Sequence, residues 1–244
     1  MNTETRSVSS TKETKNNNKN KKKKKERLNN FAYDFVKVTG AIPTVIALRP
    51  RILKPYGRCK VKGGFLISAN HCSFLDPIVI LCSFWSRRVY SLATKDLFST
   101  KTKAFFFNCV NCIPVDKENF SLNSFHAVVR RLKGGKVVAI FPEGQINVGS
   151  ADMSAFKSGA ILMANTAGVP IVPIYIAPPR KWYHRRVTVL GSPVDVRQMC
   201  GLRPSVTELD AVSQYLHERE NELKEFYYSK YPEARPSEKS TEDA

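Results

Sequence analysis

Six short apolar runs between residues 64 and 191, separated by stretches that include four of helical spacing, constrain this chain more than any other feature. The runs are "GFLISA" (64–69), "RVYSLA" (88–93), "VNCIPV" (110–115), "KVVAIF" (136–141), "VPIVPIYI" (169–176) and "RVTVLG" (186–191). Helical candidates lie between them at 77–85, 96–107, 121–133 and 154–167. A strand that returns to its sheet through a helix pairs in parallel, so the alternation predicts an α/β fold with a mostly parallel central sheet flanked by helices. After the last run, Ser205 and Glu208 stand at capping-box spacing ahead of Leu209, Val212, Tyr215, Leu216, Leu223 and Phe226, the apolar face of a final helix. A length of 244 residues suits one substantial core better than two small ones.

The two ends differ in composition from this middle. Residues 1–27 are Asn, Lys, Ser and Thr with almost nothing to bury, and are expected to be a disordered polybasic tail ending near Lys21 to Lys25. Residues 28–58 are read as a helical segment associated with a membrane surface. Phe31, Phe35, Val38, Ile42, Val45, Ile46 and Leu48 recur at helical spacing, but Gly40, Pro43 and several charges interrupt them, short of the ~20 apolar residues of a span. A helix pair packed on the domain's own core fits the same pattern. Residues 59–232 form the main domain and 233–244 a second disordered tail.

The formal net charge is +18. The first 27 residues hold ten Lys/Arg against Glu4, Glu13 and Glu26, a net +7, which leaves +11 for the rest. A field of this sign attracts acidic membrane surface or nucleic acid, and charge alone does not choose between them. Zinc-finger spacing, a recognition-helix signature and an aromatic RNA-binding strand are all missing, which disfavours nucleic acid. Six cysteines scattered through the chain, with no secretory signal ahead of them, predict a reducing compartment. Cys109 and Cys112 form a lone C-x-x-C without the second ligand pair that zinc requires, so no metal is expected.

Chemistry concentrates first in "SANHCSFLDPIVI", Ser68 to Ile80. A strand ends at Asn70, and Pro77 suits the first position of a helix, which makes Asp76 its expected N-cap. His71 and Asp76 then bracket a short loop at the carboxyl end of a strand, where open α/β sheets hold their ligands. An aspartate that accepts one ring N–H of the histidine would leave the other nitrogen free as a general base. A plain capped helix behind a polar loop accounts for the same residues.

"NHCSFLD" resembles the N-H-x-x-x-x-D signature of the glycerophospholipid acyltransferases, which include 1-acylglycerol-3-phosphate and lysophospholipid acyltransferases. It is followed in order by "FPEG" (141–144), "FKSGAILMA" (156–164) and "VPIVPIYI", which resemble the family's later blocks. Together they cover most of residues 60–190. The resemblance implies an O-acyltransferase in phospholipid biosynthesis, with an acyl thioester donor (acyl-CoA or acyl carrier protein), a lysolipid acceptor and no cofactor. By that likeness His71 is the base and Asp76 its partner, while Asn70, Ser73, Glu143 and Gly144 line the substrate site. Lys95 and Lys117 offer cations to an acceptor phosphate. Partners expected on this reading are an anionic membrane surface and the two substrates, with no nucleic acid. The place expected is the cytoplasmic face of a membrane, peripheral or monotopic.

One departure bears on the acceptor. Phosphatidic-acid-forming members usually continue the glutamate-glycine pair with Thr-Arg-Ser, whereas this chain reads Gln145, Ile146, Asn147. Isoleucine cannot supply the missing charge. 1-Acylglycerol-3-phosphate is the acceptor expected first, and lysophosphatidylethanolamine the alternative. Two hydrolytic readings compete on the same residues: His71 paired with a Cys72 nucleophile, and His71 activating water.

Overall fold

The computed structural model describes residues 29–35, 37–39, 43, 45–57, 59–116, 122–142, 158–178 and 185–235. The expected tail 1–27, residues 236–244 of the second tail, Lys117, Glu143, Gly144 and the Gln145-Ile146-Asn147 departure fall outside those residues, while Pro232–Ala234 at the start of the second tail form a 3-10 turn. Seven strands form one sheet: β1 (Arg51–Leu53), β2 (Phe65–Ala69), β3 (Val89–Thr94), β4 (Cys112–Val115), β5 (Val137–Ile140), β6 (Ile171–Ile176) and β7 (Val187–Leu190), in the order β1-β7-β6-β2-β5-β3-β4. Strands β2 to β6 run parallel. β7 is antiparallel to β6, and β1 follows β7 in parallel, so the two reversed strands occupy one side of the sheet. The alternation of runs therefore yields the mostly parallel sheet it predicts.

The helices are α1 (Asp76–Ser83), α2 (Lys101–Cys109), α3 (Leu122–Lys133), α4 (Ser158–Ala167), α5 (Val196–Cys200) and α6 (Val206–Lys230). Central strands are buried on both faces, and their side chains alternate between two cores with the period of two that a strand imposes. Phe65, Ile67 and Ala69 of β2 join Val137 and Ala139 of β5 and Val79 and Ile80 of α1. Leu66, Val138 and Ile140 point the other way, toward Val128 and Leu132 of α3, Ile161 of α4 and Leu216 of α6. Gly64 lets β2 begin hard against α3, since a Cβ there would sit 2.2 Å from the Leu132 carbonyl oxygen. The capping box that opens α6 is formed: Ser205 N–H donates to Glu208 Oε2 at 2.7 Å, and Glu208 N–H to Ser205 Oγ at 3.3 Å.

Four local expectations need correction. Residues 51–53 were expected to continue the N-terminal helices and instead form edge strand β1, paired with Val187 to Val189. Three residues are too few to display a strand period, and only the partner makes them a strand. The helix expected over 96–107 is two elements, a 3-10 turn at Lys95–Phe98 and α2. Thr100 separates them because its hydroxyl caps α2, accepting from Lys103 N–H. The short helix α5, capped by Asp195, had no expected counterpart. Lastly, α1 begins at Asp76 itself, with Leu75 in the cap position, so Asp76 is not an N-cap.

One side of the N-terminal helical residues packs on the domain. Tyr33 is buried and its hydroxyl accepts from Val89 N–H; Lys37, one turn on, donates to the carbonyls of Trp85 and Arg87; Arg88 is paired with Asp34. The other side of the same helical stretch leaves Phe31, Phe35 and Val38 exposed. Among the described residues no helix is long and apolar enough to cross a membrane.

Candidate active site

Strand β2 delivers Asn70 and His71 to the carboxyl edge of the sheet between β5 and β6. The chain leaves β2 toward β3 in one direction and leaves β5 toward β6 in the other, which makes this edge a topological switch point, the place where open α/β sheets form their crevice. Asn70 is buried and continues the ladder with its side chain: Nδ2 donates to the Ile176 carbonyl at 2.9 Å, and Ile176 N–H donates to Oδ1 at 2.7 Å. Both ends of the amide are thereby committed to backbone 106 positions away. Two residues earlier, Ser68 Oγ donates to the buried Glu220 Oε1 of α6 at 2.9 Å. Tied on both sides, the end of β2 is a rigid mount for the next residue.

Asp76 turns its carboxylate back from the first turn of α1 into the loop. Its Oδ2 accepts from Cys72 N–H at 2.8 Å and Ser73 N–H at 2.7 Å, and stands 2.9 Å from His71 Nδ1. Backbone N–H groups can only donate, so Oδ2 is the acceptor at this focus, and the ring proton of His71 belongs on Nδ1. Nε2 is left with its lone pair free. The loop expected to bring the two side chains together does so, and the two backbone donors orient the aspartate that orients the histidine. The Asp76 side chain is 3% exposed and that of His71 15%, so the imidazole opens to solvent on one side while the carboxylate is sealed.

Phe141, the first residue beyond β5, stacks on the His71 ring with centroids 4.1 Å apart and planes 18° from parallel. It restricts imidazole rotation and places the start of "FPEG" against His71. No role was expected of this residue, because the pairing of β5 with β2 that brings it to His71 is not written in either strand. Glu143 and Gly144 follow it by two and three residues. Ser73 contributes its N–H to Asp76 and its hydroxyl to Leu75 N–H. Lys95 lies just past the carboxyl end of β3 and is ion-paired with Asp116 beyond β4, Nζ to Oδ2 2.9 Å, with both groups well exposed. The structure thus joins His71, Asp76, Ser73 and Asn70 in one unit and puts Lys95 on the same sheet edge, two strands away.

Cys72 fails as a rival nucleophile. Its thiol is buried, near Asp76 Oδ1 and the Ile176 carbonyl, and burial, reinforced by the Asp76 charge, pushes its pKa far up. A thiol held protonated is inert toward esters. Arg186, just before β7, opposes that shift. Burial likewise raises the Cys112 thiol of the C-x-x-C pair to about 11. Among the described residues no group of three or more His, Cys, Asp or Glu side chains is placed to hold a metal ion.

The acyltransferase family model matches residues 36–177, more than half of the chain, a span that includes Asn70, His71, Asp76 and Phe141. The chain belongs to the acyltransferase family. It is an enzyme that transfers acyl groups, of the glycerophospholipid type that its motifs resemble. The 1-acyl-sn-glycerol-3-phosphate acyltransferase of Bacillus subtilis (strain 168) is 26% identical over 190 residues, covering 75% of this chain and 93% of that protein. The probable 1-acyl-sn-glycerol-3-phosphate acyltransferase of Mycoplasma pneumoniae is 30% identical over 127 residues, 47% of this chain and 45% of that one. The fold agrees with the crystal structure of the 1-acyl-sn-glycerophosphate acyltransferase from Thermotoga maritima, with a TM-score of 0.61 over 88% of this chain and 85% of that one at 19% identity.

Proposed function

We propose that this acyltransferase moves a fatty acyl group from an acyl thioester, on coenzyme A or acyl carrier protein, to the free hydroxyl of a lysophospholipid. 1-Acylglycerol-3-phosphate is the first acceptor, giving phosphatidic acid. The observation that carries the reading is the His71 imidazole fixed by Asp76 with Nε2 free at a cleft edge. Nε2 removes the proton of the acceptor hydroxyl as that oxygen attacks the thioester carbonyl. The tetrahedral intermediate then collapses, the carbon–sulfur bond breaks, and the imidazolium returns the proton to the leaving thiolate. Asp76 stays an anion throughout and stabilises the transient imidazolium. Two substrates held together need only a base and positioning, so the chemistry requires neither a covalent enzyme intermediate nor a cofactor.

The names of the relatives support glycerol-3-phosphate-based acceptors. Gln145 and Ile146, where phosphatidic-acid-forming members usually have Thr-Arg, favour lysophosphatidylethanolamine as a second reading. Glu143 and Gly144 would contact acceptor hydroxyls, and Lys95 with Lys117 its phosphate. The enzyme would work as a peripheral or monotopic protein at the cytoplasmic face of an anionic membrane, held by the lysine-rich tail and the exposed Phe31, Phe35 and Val38.

The test presents purified protein with an acyl thioester and, in turn, lysophosphatidic acid, lysophosphatidylethanolamine and lysophosphatidylglycerol. Transfer should be fastest to lysophosphatidic acid and should fall by about 10³-fold in His71→Ala at unchanged melting temperature. Full transfer by that variant, or acyl release to water at the rate of transfer, overturns the proposal.

A further inference from the structure

Helix α2 buries only Cys109 of its nine residues. Phe107 turns inward against Phe98, ring centroids 5.5 Å apart, while Phe105 and Phe106 are 70% and 55% exposed. Among the described residues nothing buries these two adjacent aromatic side chains, on a helix already capped by Thr100. The helix carries Lys101 and Lys103 in its first turn and no acidic residue. Cations one turn from exposed phenylalanines match the depth profile of a bilayer surface, with headgroup phosphates above the acyl boundary.

The position of α2 extends that match. Val89 of β3 shares one core with Val79 and Ile80 of α1, and the β3-to-β4 connection moves along the sheet in the same direction as the β2-to-β3 connection, so one handedness puts α2 on the α1 side. The opposite side of β4 is occupied already, where Ile113 packs against α3 residues. Phe74, just before α1, and Ile78 in its first turn are exposed as well. A second copy of the chain is a poorer occupant, because a two-fold contact between copies of α2 brings no acidic residue opposite Lys101 and Lys103.

We propose that α2 is a membrane-docking element that places Phe105 and Phe106 at the headgroup-acyl boundary of an anionic bilayer, with Lys101 and Lys103 on lipid phosphates. It rests on reading the enzyme's acceptor as a bilayer lipid, and it adds to the N-terminal contact a second one that stops the domain pivoting about a single attachment.

Full-length protein is sedimented with vesicles of phosphatidylcholine alone and of phosphatidylcholine with phosphatidylglycerol. Phe105→Ser/Phe106→Ser should weaken binding to the anionic vesicles at least about tenfold. Lys101→Glu/Lys103→Glu should do the same on anionic vesicles and leave binding to phosphatidylcholine unchanged. The control Leu122→Ser/Val206→Ser, equally exposed but off this side, should bind as wild type. Transfer to a short-chain lysolipid dispersed as monomers should be retained by both α2 variants, with melting temperatures unaltered. Wild-type vesicle binding by both α2 variants overturns the proposal. So does a dimer-to-monomer change in the phenylalanine variant at sedimentation equilibrium, which would assign this face to a second copy. If the wild type acylates no lysolipid, the functional reading fails, while the vesicle arms still decide the role of α2.

Discussion

The two sides of the sheet are covered in different ways. On one side α3 and α6 are amphipathic over their full length: Ser124, Val128 and Leu132 of α3, and Val212, Leu216, Glu220, Leu223 and Tyr227 of α6, repeat at three- and four-residue spacing and are buried. The opposite side is covered by the short α1, and both α2 and the helical residues near the N-terminus leave phenylalanines outward. Both sides bury strand residues equally well, because β2, β5 and β6 are sealed on both faces. They differ in what their helices show to the outside. A helix polar on its outer face needs no further partner, whereas one apolar on both faces is half of an interface.

The largest expected effect tests that asymmetry through stability. Leu132→Ala, fully buried between α3 and the sheet, should cost about 2 to 5 kcal/mol in urea unfolding, whereas Phe31→Ser/Phe35→Ser should stay within about 0.5 kcal/mol. Equal losses would mean that the outer phenylalanines are core, and the contrast would collapse.

The next concerns the site where the two sides meet. Asn70→Ala strands the buried N–H and carbonyl of Ile176, at a cost of about 2 kcal/mol, and frees the end of β2. Turnover should fall at least about tenfold with the KM for lysolipid moving less than about threefold, as expected of a residue that positions His71. A rise in KM alone would make Asn70 a substrate contact instead.

The smallest effect probes how firmly the N-terminal residues are bound. Burial pushes the Tyr33 phenol up to about 12 from an ordinary 10, against the Val89 hydrogen bond, which lowers it. The folded chain therefore keeps this proton while the unfolded chain loses it, so its contribution is complete below pH 10 and disappears as pH rises toward 12. Tyr33→Phe should lower stability by about 1 kcal/mol near neutrality, since Val89 N–H loses its acceptor, and should flatten the decline in that alkaline window. Identical alkaline slopes in the two proteins would show that the helical residues do not hold Tyr33 in place.

Much of the site was legible because its information is local. The five-residue separation of His71 and Asp76, a strand before and Pro77 after, sufficed to anticipate a loop that joins them. The detail that Asp76 sits inside the helix and gathers two loop N–H groups was not, since a cap and a first-turn residue share the same sequence preference. The double hydrogen bond of Asn70 to the Ile176 backbone was not legible either, because Ile176 lies in a strand whose neighbour cannot be read from its own residues. The Phe141 stack was hidden for the same reason.

Alternating apolar runs, turn residues and capping pairs act over a few positions, so the amino-acid order alone settled the α/β class and the places of most strands and helices, and it offered the loop that pairs His71 with Asp76 beside a plain helix cap. Strand order is a different kind of quantity. That β2 lies between β5 and β6, that three residues at 51–53 become an edge strand on β7, and that α2 turns two phenylalanines outward all depend on contacts between distant segments. A local pattern records that a side chain is apolar. Only the packed chain determines whether anything is left to cover it.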